Sequence, residues 1–320
     1  MKNKHIVQVS FFFLITTFVY GQNEPFSQFY NSRLAVNPAL TGHIINDWRL
    51  QDVFSYREYL HGKYYNANNL ALELKFPIAK RSFFYGVVEE DYTNLVIGVG
   101  LTDDRHSMGY DTARYSSDYL TLAVHKKIFK DAQVSVGAQA GMISYLSKNS
   151  FDANVGLLLA SKRIDCEYGH QIFKYELGVS YFHTSKKFHS SKDTLLNPSA
   201  EIQAHGGMFV KLARKINFEG LAHYEYNSSN YYHVGGFLIS RSKHPTYDGL
   251  RFGMFYRNTD HLVFAGGVRI FGNTDQTLAA DVTLSYDLNL NGFYKNGVEL
   301  SVAVYPLRKC WKIQTCIPNK

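Results

Sequence analysis

The stretch LVIGVGLT, residues 95–102, decides the fold class of this chain. Every second side chain in it is large and apolar, and most of the others are small; the large ones are Leu95, Ile97, Val99 and Leu101. Successive side chains of a β-strand point to opposite faces, so this alternation predicts a strand with one apolar face.

The same two-residue period returns from about residue 45 to residue 306. Around residues 69–77, leucines alternate with Glu73 and Lys75. Such charges are hard to place in a two-sided core and easy to place in a wall between lipid and a polar lumen. Candidate strands therefore lie near residues 45–58, 69–77, 95–102, 116–127, 134–142, 151–160, 173–184, 200–213, 215–226, 231–241, 249–258, 260–271, 277–288 and 297–306.

This count predicts an all-β fold, a transmembrane antiparallel β-barrel of about 14 strands of the outer-membrane type. The 24 Tyr and 23 Phe residues suit the aromatic girdles of such barrels. Short links such as Arg214-Lys215 and longer ones near residues 103–115, 185–198 and 241–248 are expected at opposite rims. A soluble β-sandwich or propeller is the alternative, although the chain lacks the fixed repeat period of a propeller.

The N-terminus predicts secretion. Lys2 and Lys4 precede a mostly apolar run over residues 6–19, and Gly21 offers a small residue at a cleavage point before Gln22. We therefore expect a signal peptide over residues 1–21 and a mature protein in the cell outer membrane. Loss of this segment would lower the formal net charge from +7 to +5, a modest excess that does not indicate nucleic-acid binding.

Residues 22–44, QNEPFSQFYNSRLAVNPALTGHI, do not alternate. Pro25, Asn37-Pro38 and Thr41-Gly42 punctuate them as turns do. We expect an ordered N-terminal periplasmic extension or plug here, then the barrel over residues 45–306 and a C-terminal tail over residues 307–320.

The sequence predicts no catalytic residue, no cofactor and no metal site, and therefore not an enzyme. The 13 His residues share no ligand spacing, and zinc-protease, nucleophile-elbow and phosphate-loop motifs are absent. Asp103, Asp104 and Asp111 could crowd one loop, but their spacing does not match a calcium loop. Cys310 and Cys316 are a candidate disulfide in an oxidising periplasm. An outer-membrane hydrolase assembled from distant strands is the enzymatic alternative.

Both ends of the chain resemble a known family. The segment FSQFYNSRLAVNPALTG, residues 26–42, resembles the start of mature PorP/SprF-family proteins, the type IX secretion system membrane proteins of the Bacteroidota. LSYDLNL at residues 284–290 and GVELS at 297–301 resemble the last strands of that family. The N-terminal family pattern falls on Phe26, Ser27, Gln28, Phe29, Asn37, Pro38, Ala39 and Gly42.

The resemblance implies an outer-membrane barrel of the type IX secretion or gliding motility apparatus. Such a protein binds, and helps to export or surface-anchor, cargo proteins that bear a C-terminal signal domain. Its implied partners are outer membrane lipid, secreted cargo, periplasmic components of the apparatus and a peptidoglycan-binding protein. The residues themselves also permit an outer-membrane channel or transporter for small solutes or fatty acids.

The N-terminal motif has two interpretations. Phe26, Phe29 and the Asn37-Pro38 turn are too apolar to be left in water without a contact surface. They can brace or plug the barrel from inside, or they can form a partner-docking surface at the periplasmic rim. The sequence leaves both open.

Overall fold

The computed structural model describes residues 26, 28–44, 46–59, 64–84, 87–108, 113–129, 132–145, 148–161, 173–183, 200–213, 215–226, 230–240, 247–258, 261–271, 278–290 and 294–306. Within them, fourteen antiparallel strands form one closed barrel, as predicted. Each predicted strand overlaps one of these: β1 (Trp48–Tyr59), β2 (Tyr64–Phe84), β3 (Val87–Met108), β4 (Ala113–Phe129), β5 (Ala132–Tyr145), β6 (Lys148–Ser161), β7 (Phe173–Phe182), β8 (Glu201–Lys211), β9 (Ile216–Tyr226), β10 (Tyr231–Ser240), β11 (Tyr247–Arg257), β12 (His261–Phe271), β13 (Leu278–Asn289) and β14 (Tyr294–Pro306).

The barrel closes where β1 pairs with β14, with Leu50 opposite Val304. Every other ladder joins strands that are neighbours in sequence. Because the number of strands is even, β1 begins and β14 ends at the same edge of the barrel. We name this edge the terminus rim and the opposite edge the far rim.

The outward face of the wall is apolar around the whole barrel. Leu101, Leu122, Leu157, Leu177, Leu238, Phe252 and Leu284 are each more than 50% exposed. Exposed tyrosines stand at the far-rim ends of five strands: Tyr56, Tyr224, Tyr226, Tyr232, Tyr256 and Tyr286. An apolar band with an aromatic girdle at its edge is the surface of a barrel embedded in lipid.

β2 and β3 are 21 and 22 residues long, more than twice the predicted length. β1 reaches only as far as Leu74 of β2, so in the described part of the chain residues 76–84 pair with β3 alone. Pro77, the last residue of the predicted strand 69–77, lies here. An edge position tolerates a residue without an N–H, and the ladder shifts register between Pro77 and Ala79.

Two expectations about the connections are wrong. Asp103 and Asp104 belong to β3 and not to a loop, because the ladders of β3 with β2 and β4 continue to Met108. Short connections are also not confined to one rim, nor long connections to the other. The far rim carries the links at 146–147 and 183–200, and the terminus rim those at 85–86 and 162–172.

We name residues 26–47 the lumenal segment; its described residues, 26, 28–44 and 46–47, run through the inside of the barrel. The segment begins near the far rim, where Phe26 packs in a cluster with Val53 and Tyr65. It ends at the terminus rim, where β1 starts. It contains a one-turn helix α1 (Arg33–Val36) and a 3-10 helix (Pro38–Leu40). In the described residues, no helix is long and apolar enough to span a membrane.

Candidate functional site: the lumenal segment and its seat

Inward-facing glycines on β3, β5, β6 and β7 let the lumenal segment lie directly against the wall. A Cβ at Gly137 would lie 2.4 Å from the carbonyl carbon of Pro38, and one at Gly156 would lie 1.9 Å from Asn37 Oδ1. Real Cβ atoms do not approach other atoms so closely, so a side chain at these positions would displace the segment. We name this row the glycine seam: Gly98, Gly100, Gly137, Gly156 and Gly178.

Asn37 is fully buried over the seam, and its amide has four polar contacts. Its Nδ2 donates to the carbonyl oxygens of Leu157 at 2.9 Å and Val179 at 3.3 Å, and lies 3.1 Å from His205 Nε2. Its Oδ1 accepts from the Ala39 N–H at 2.8 Å. One side chain thus joins β6, β7 and β8 to the 3-10 helix and leaves none of its polar atoms unsatisfied.

The Thr41-Gly42 step fixes the end of the segment. Gly42 has φ +72°, a conformation that favours glycine, and its Cα lies so close to Gly98 that neither residue has room for a side chain. The Gly42 N–H donates to Glu73 Oε2 at 3.0 Å. The Thr41 carbonyl oxygen accepts from His125 Nε2 at 2.7 Å. The conformation of this turn therefore depends both on Gly42 in the segment and on wall residues of β2, β3 and β4.

Gln28 binds the opposite wall through its backbone and its side chain. Its N–H donates to Glu299 Oε2 at 2.8 Å, and its Nε2 donates to the Glu299 carbonyl oxygen at 2.9 Å and to Ser285 Oγ at 3.1 Å. Asn31 Nδ2 extends the network by donating to Gln28 Oε1 at 2.7 Å and to Ser301 Oγ at 2.6 Å. The first turn of the segment is thereby attached to β13 and β14.

Glu299 also belongs to a buried ionic cluster of two arginines and two carboxylates. Arg57 Nη2 lies 2.7 Å from Glu299 Oε1 and 3.5 Å from Asp287 Oδ2, and Arg257 Nη1 lies 3.5 Å from Asp287 Oδ2. All four side chains are at most 5% exposed. Buried charges need partners of opposite sign, and this cluster is balanced.

Aromatic rings hold the segment toward the far rim. Phe29 stacks on His223 at 5.3 Å and meets His233 edge-on at 5.3 Å. Phe26 lies 5.9 Å from His106. Such pairs add to the stabilisation that burial of the rings provides.

Tyr30 connects the segment to β10 and β11. It meets Phe237 edge-on at 5.0 Å and stacks on Phe255 at 5.1 Å. The Arg251 guanidinium lies 4.9 Å from the Phe237 ring centroid and 5.9 Å from that of Tyr30. Burial among these groups raises the pKa of the Tyr30 phenol well above its usual range.

Two cavities lie on opposite sides of the lumenal segment. The terminus-side cavity has a volume of about 350 Å³, and the far-side cavity about 130 Å³. The residues that line both are Phe29 and Val36, which belong to the segment itself. The segment therefore lies between the two cavities.

The structure brings the predicted motif together inside the barrel and not at a rim. Phe26, Gln28, Phe29, Asn37, Pro38, Ala39 and Gly42 are all buried there. Ser27, Cys310, Cys316, the predicted signal peptide and the predicted tail lie outside the described residues. No group of three or more His, Cys, Asp or Glu side chains in the described part of the chain is placed to hold a metal ion.

The wall residues that receive the motif were not identified from the sequence. The small residues between the apolar ones were visible, for example Gly98 and Gly100 in LVIGVGLT. Their sequence pattern does not say that another segment lies against them. The ionic cluster is harder still, because Arg57 and Glu299 are 242 residues apart.

The fold is similar to that of solved barrels with low sequence identity. One is a Pseudomonas aeruginosa FadL homologue, with a TM-score of 0.53 and 10% identity over 85% of this chain and 93% of that one. Another is the CymD monoaromatic hydrocarbon channel, with a TM-score of 0.55 and 10% identity over 87% of this chain and 93% of that one. At such identity the likeness concerns the fold alone.

No curated protein sequence matches the chain. The family model of the type IX secretion system membrane protein PorP/SprF matches residues 19–304, which include the lumenal segment and almost the whole barrel. The resemblance drawn from residues 26–42 and from the last strands is thereby confirmed. An outer-membrane barrel whose N-terminal motif is built into its lumen, this chain belongs to the PorP/SprF family of type IX secretion system membrane proteins.

Proposed function

We propose that this protein is a sealed barrel that binds exported proteins bearing a C-terminal signal domain and helps to export them or anchor them at the cell surface. Its place in the type IX secretion system follows from the family. The proposal has three further parts. The barrel binds particular cargo, contacts periplasmic components and a peptidoglycan-binding protein, and takes part in gliding motility.

The filled bore carries the proposal. A channel needs a continuous wet path, whereas here the lumenal segment separates the two cavities. Gln28, Asn37, Ala39 and Thr41 of this segment are completely buried. A wall shaped by five glycines to fit one segment supports a permanent plug more than a transient occupant.

The plug role is favoured over the docking role for the N-terminal motif. Docking of Phe26 and Phe29 onto a partner would require both rings to leave their wall contacts, and they are only 6% and 5% exposed. Partner binding by this barrel is therefore proposed for surfaces other than the motif.

We also propose that the protein acts by binding and not by turnover. Its family and fold are of non-enzymatic kinds. The proposed mature chain begins at about Gln22, after removal of residues 1–21, and continues past the barrel into the tail at 307–320. The Cys310–Cys316 disulfide stays a prediction.

The test is recovery of cargo from the membrane. Tagged wild-type barrel, extracted from outer membranes in detergent, should copurify with exported proteins that carry a C-terminal signal domain, identified by mass spectrometry. A strain lacking the barrel should lose those proteins from the cell surface in a protease-shaving assay. If nothing of this class copurifies and surface display is unchanged, the proposal is refuted.

A channel for small solutes is the second candidate. The terminus-side cavity is large enough for a small ligand, and one barrel of similar fold is a monoaromatic hydrocarbon channel. Uptake of small apolar solutes into vesicles distinguishes the two, because a transporter accelerates it and a sealed binding protein does not.

A further inference from the structure

A carboxylate on β1 stands on the lipid-facing side of the wall. Asp52 lies between the outward residues Leu50 and Phe54, and like them it is exposed. The residues beside it in the chain, Gln51 and Val53, are buried on the lumenal side. Because a strand presents alternate side chains to opposite faces, the Asp52 carboxylate lies on the same face as the apolar band.

The pairing of the strands places Asp52 halfway up the barrel. Directly paired residues form a row that crosses the tilted strands and climbs from one rim to the other. After five ladders in one direction, the row of Asp52 reaches Ser240, the last residue of β10 at the terminus rim. After five ladders in the other direction it reaches Phe151, the fourth residue of β6 from the far rim. The residues between are Val302, Val282, Val268 and Leu250 toward Ser240, and Leu70, Asp103, Asp118 and Met142 toward Phe151. The carboxylate therefore lies near the middle of the apolar band.

Asp52 accepts a hydrogen bond from Asn68, its diagonal neighbour on β2. Asn68 Nδ2 lies 2.6 Å from Asp52 Oδ1. In the described part of the chain, Asp52 Oδ2 accepts no hydrogen bond, and no Lys or Arg side chain pairs with the carboxylate. An ionisable group at this depth of a bilayer is costly and needs polar partners. The described chain therefore supplies a donor to only one of the two carboxylate oxygens.

The Asp52–Asn68 pair is complementary to a second copy of itself. The carboxylate has an unused acceptor, and the Asn68 amide nitrogen carries two N–H groups, of which one is bonded to Asp52. All copies insert in the same direction, so a two-fold axis along the membrane normal brings both pairs to the same height. The second N–H of each Asn68 can then donate to Asp52 Oδ2 of the other copy. Because contacts across a two-fold axis are reciprocal, one interface supplies both missing hydrogen bonds.

We propose that the outer face of β1 and β2 is an interface between two copies of this protein, joined by Asp52 and Asn68. Repulsion between the two carboxylates opposes the contact, and a proton shared between them removes it. A second copy is favoured over a basic membrane protein because this chain carries both the donor and the acceptor at one height. Exposed apolar side chains surround the pair and supply the packing: Leu50, Phe54, Leu70 and Leu300.

Energy transfer between labelled copies in vesicles measures this interface. Full-length barrels that carry a donor or an acceptor dye on a C-terminal tag are reconstituted together in phosphatidylcholine vesicles, and lipid is added to dilute them. We expect the wild-type barrel to show more transfer than randomly distributed monomers. Asp52→Leu and Asn68→Leu should each weaken association about tenfold, because each removes both hydrogen bonds between the copies.

Two further variants separate these hydrogen bonds from charge alone. Asp52→Asn keeps an acceptor at the same place without the repulsion and should leave association within about threefold. Asp118→Leu removes an exposed carboxylate of the same row, three ladders from Asp52, and should leave association within about twofold. Folding of each variant is checked by heat-modifiability on gels.

Several results would overturn the inference. They are transfer at the level of random monomers for the wild-type barrel, unchanged association in Asp52→Leu, and an equal loss in Asp52→Leu and Asp118→Leu. A monomeric wild-type barrel that instead binds a leucine-rich transmembrane peptide with one central lysine would also overturn it and assign this face to a basic partner. None of these readouts involves cargo, so the proposed function is judged separately by the pull-down.

Discussion

Two sides of the barrel wall hold the lumenal segment in different ways. On β3, β5, β6 and β7 the glycine seam lets the segment lie directly on the wall backbone. At Gly98 and Gly137 the segment's own backbone makes this contact, and at Gly156 and Gly178 the Asn37 side chain does. On β10, β11, β13, β14 and β1, large side chains reach inward to the segment, and we name these the bulky wall: Phe237, Phe255, Asp287, Glu299 and Arg57. The segment therefore lies off-centre, against the seam.

The difference shows which wall contacts determine the position of the lumenal segment and which only fill the space beside it. A backbone contact cannot adjust when an atom is added, because a Cβ at Gly137 meets main-chain atoms of Pro38 and Ala39. A ring such as Phe255 can be replaced by a smaller side chain with partial collapse around it. We expect changes in the seam to move the segment and most changes in the bulky wall to leave it in place.

Gly137→Val should have the largest effect. Its side chain would occupy the place of the Pro38 and Ala39 backbone, so the segment must leave the seam. We expect a loss of about 5 kcal/mol in the free energy of unfolding, at the upper end for single substitutions. Hydrogen exchange of residues 28–44 and urea unfolding in lipid vesicles measure the two consequences.

The matched control is Gly266→Val on β12. A Cβ at Gly266 has nothing within 4 Å. Unchanged exchange of residues 28–44 in both variants would show that the seam does not determine the position of the segment.

Glu299→Gln tests the charged part of the bulky wall. It removes the carboxylate that pairs with Arg57 and leaves that arginine buried with less negative charge. We expect a loss of about 3 kcal/mol, because breaking one partner of a buried pair costs several kcal/mol. Asp118→Asn, at an exposed position on β4, is the control. Urea unfolding that gives the same stability for both variants would contradict the role of the cluster.

Asn37→Ala removes the amide that joins the seam strands. The carbonyl oxygens of Leu157 and Val179 lose a donor inside the bore. We expect a loss of about 2 kcal/mol, the cost of leaving buried polar groups unsatisfied. Asn68→Ala, whose amide bonds Asp52 in an exposed pair, should cost much less in the same unfolding assay.

Phe255→Leu should have the smallest effect. It shortens a ring that stacks on Tyr30 but keeps an apolar side chain in the bulky wall. We expect a loss of about 1 kcal/mol and no change in hydrogen exchange of residues 37–42 of the lumenal segment, which lie on the glycine seam. Faster exchange there would mean that the bulky wall also sets the position of the segment.

The wall itself could be predicted from the sequence. Period-two alternation identified every strand. It also placed the leucines and Glu73 of residues 69–77 on opposite faces, and in the structure Leu70 is exposed and Glu73 is buried. The extra length of β2 and β3 was missed around residues 79–94. Charged residues there, such as Lys80 opposite Asp91, interrupt the apolar alternation although the backbone ladder continues.

The seat of the lumenal segment could not be predicted. Its contacts form only once the barrel closes, and Asn37 reaches carbonyl groups 120 and 142 residues away. The motif residues were identifiable by resemblance to the family. Their partners Gly137 and Gly156 look like the small lumen residues of any barrel. Nothing in the local sequence therefore indicates that the motif residues contact these glycines.

Conductance across a planar lipid bilayer tests the sealed bore most directly. We expect the wild-type barrel to insert without steady current, and a variant lacking residues 26–44 to give stable open-channel steps. If that variant fails to fold, Gly137→Val should give the same steps, with Gly266→Val silent. Steady wild-type conductance equal to that of the opened variant would contradict the claim that the lumenal segment closes the barrel.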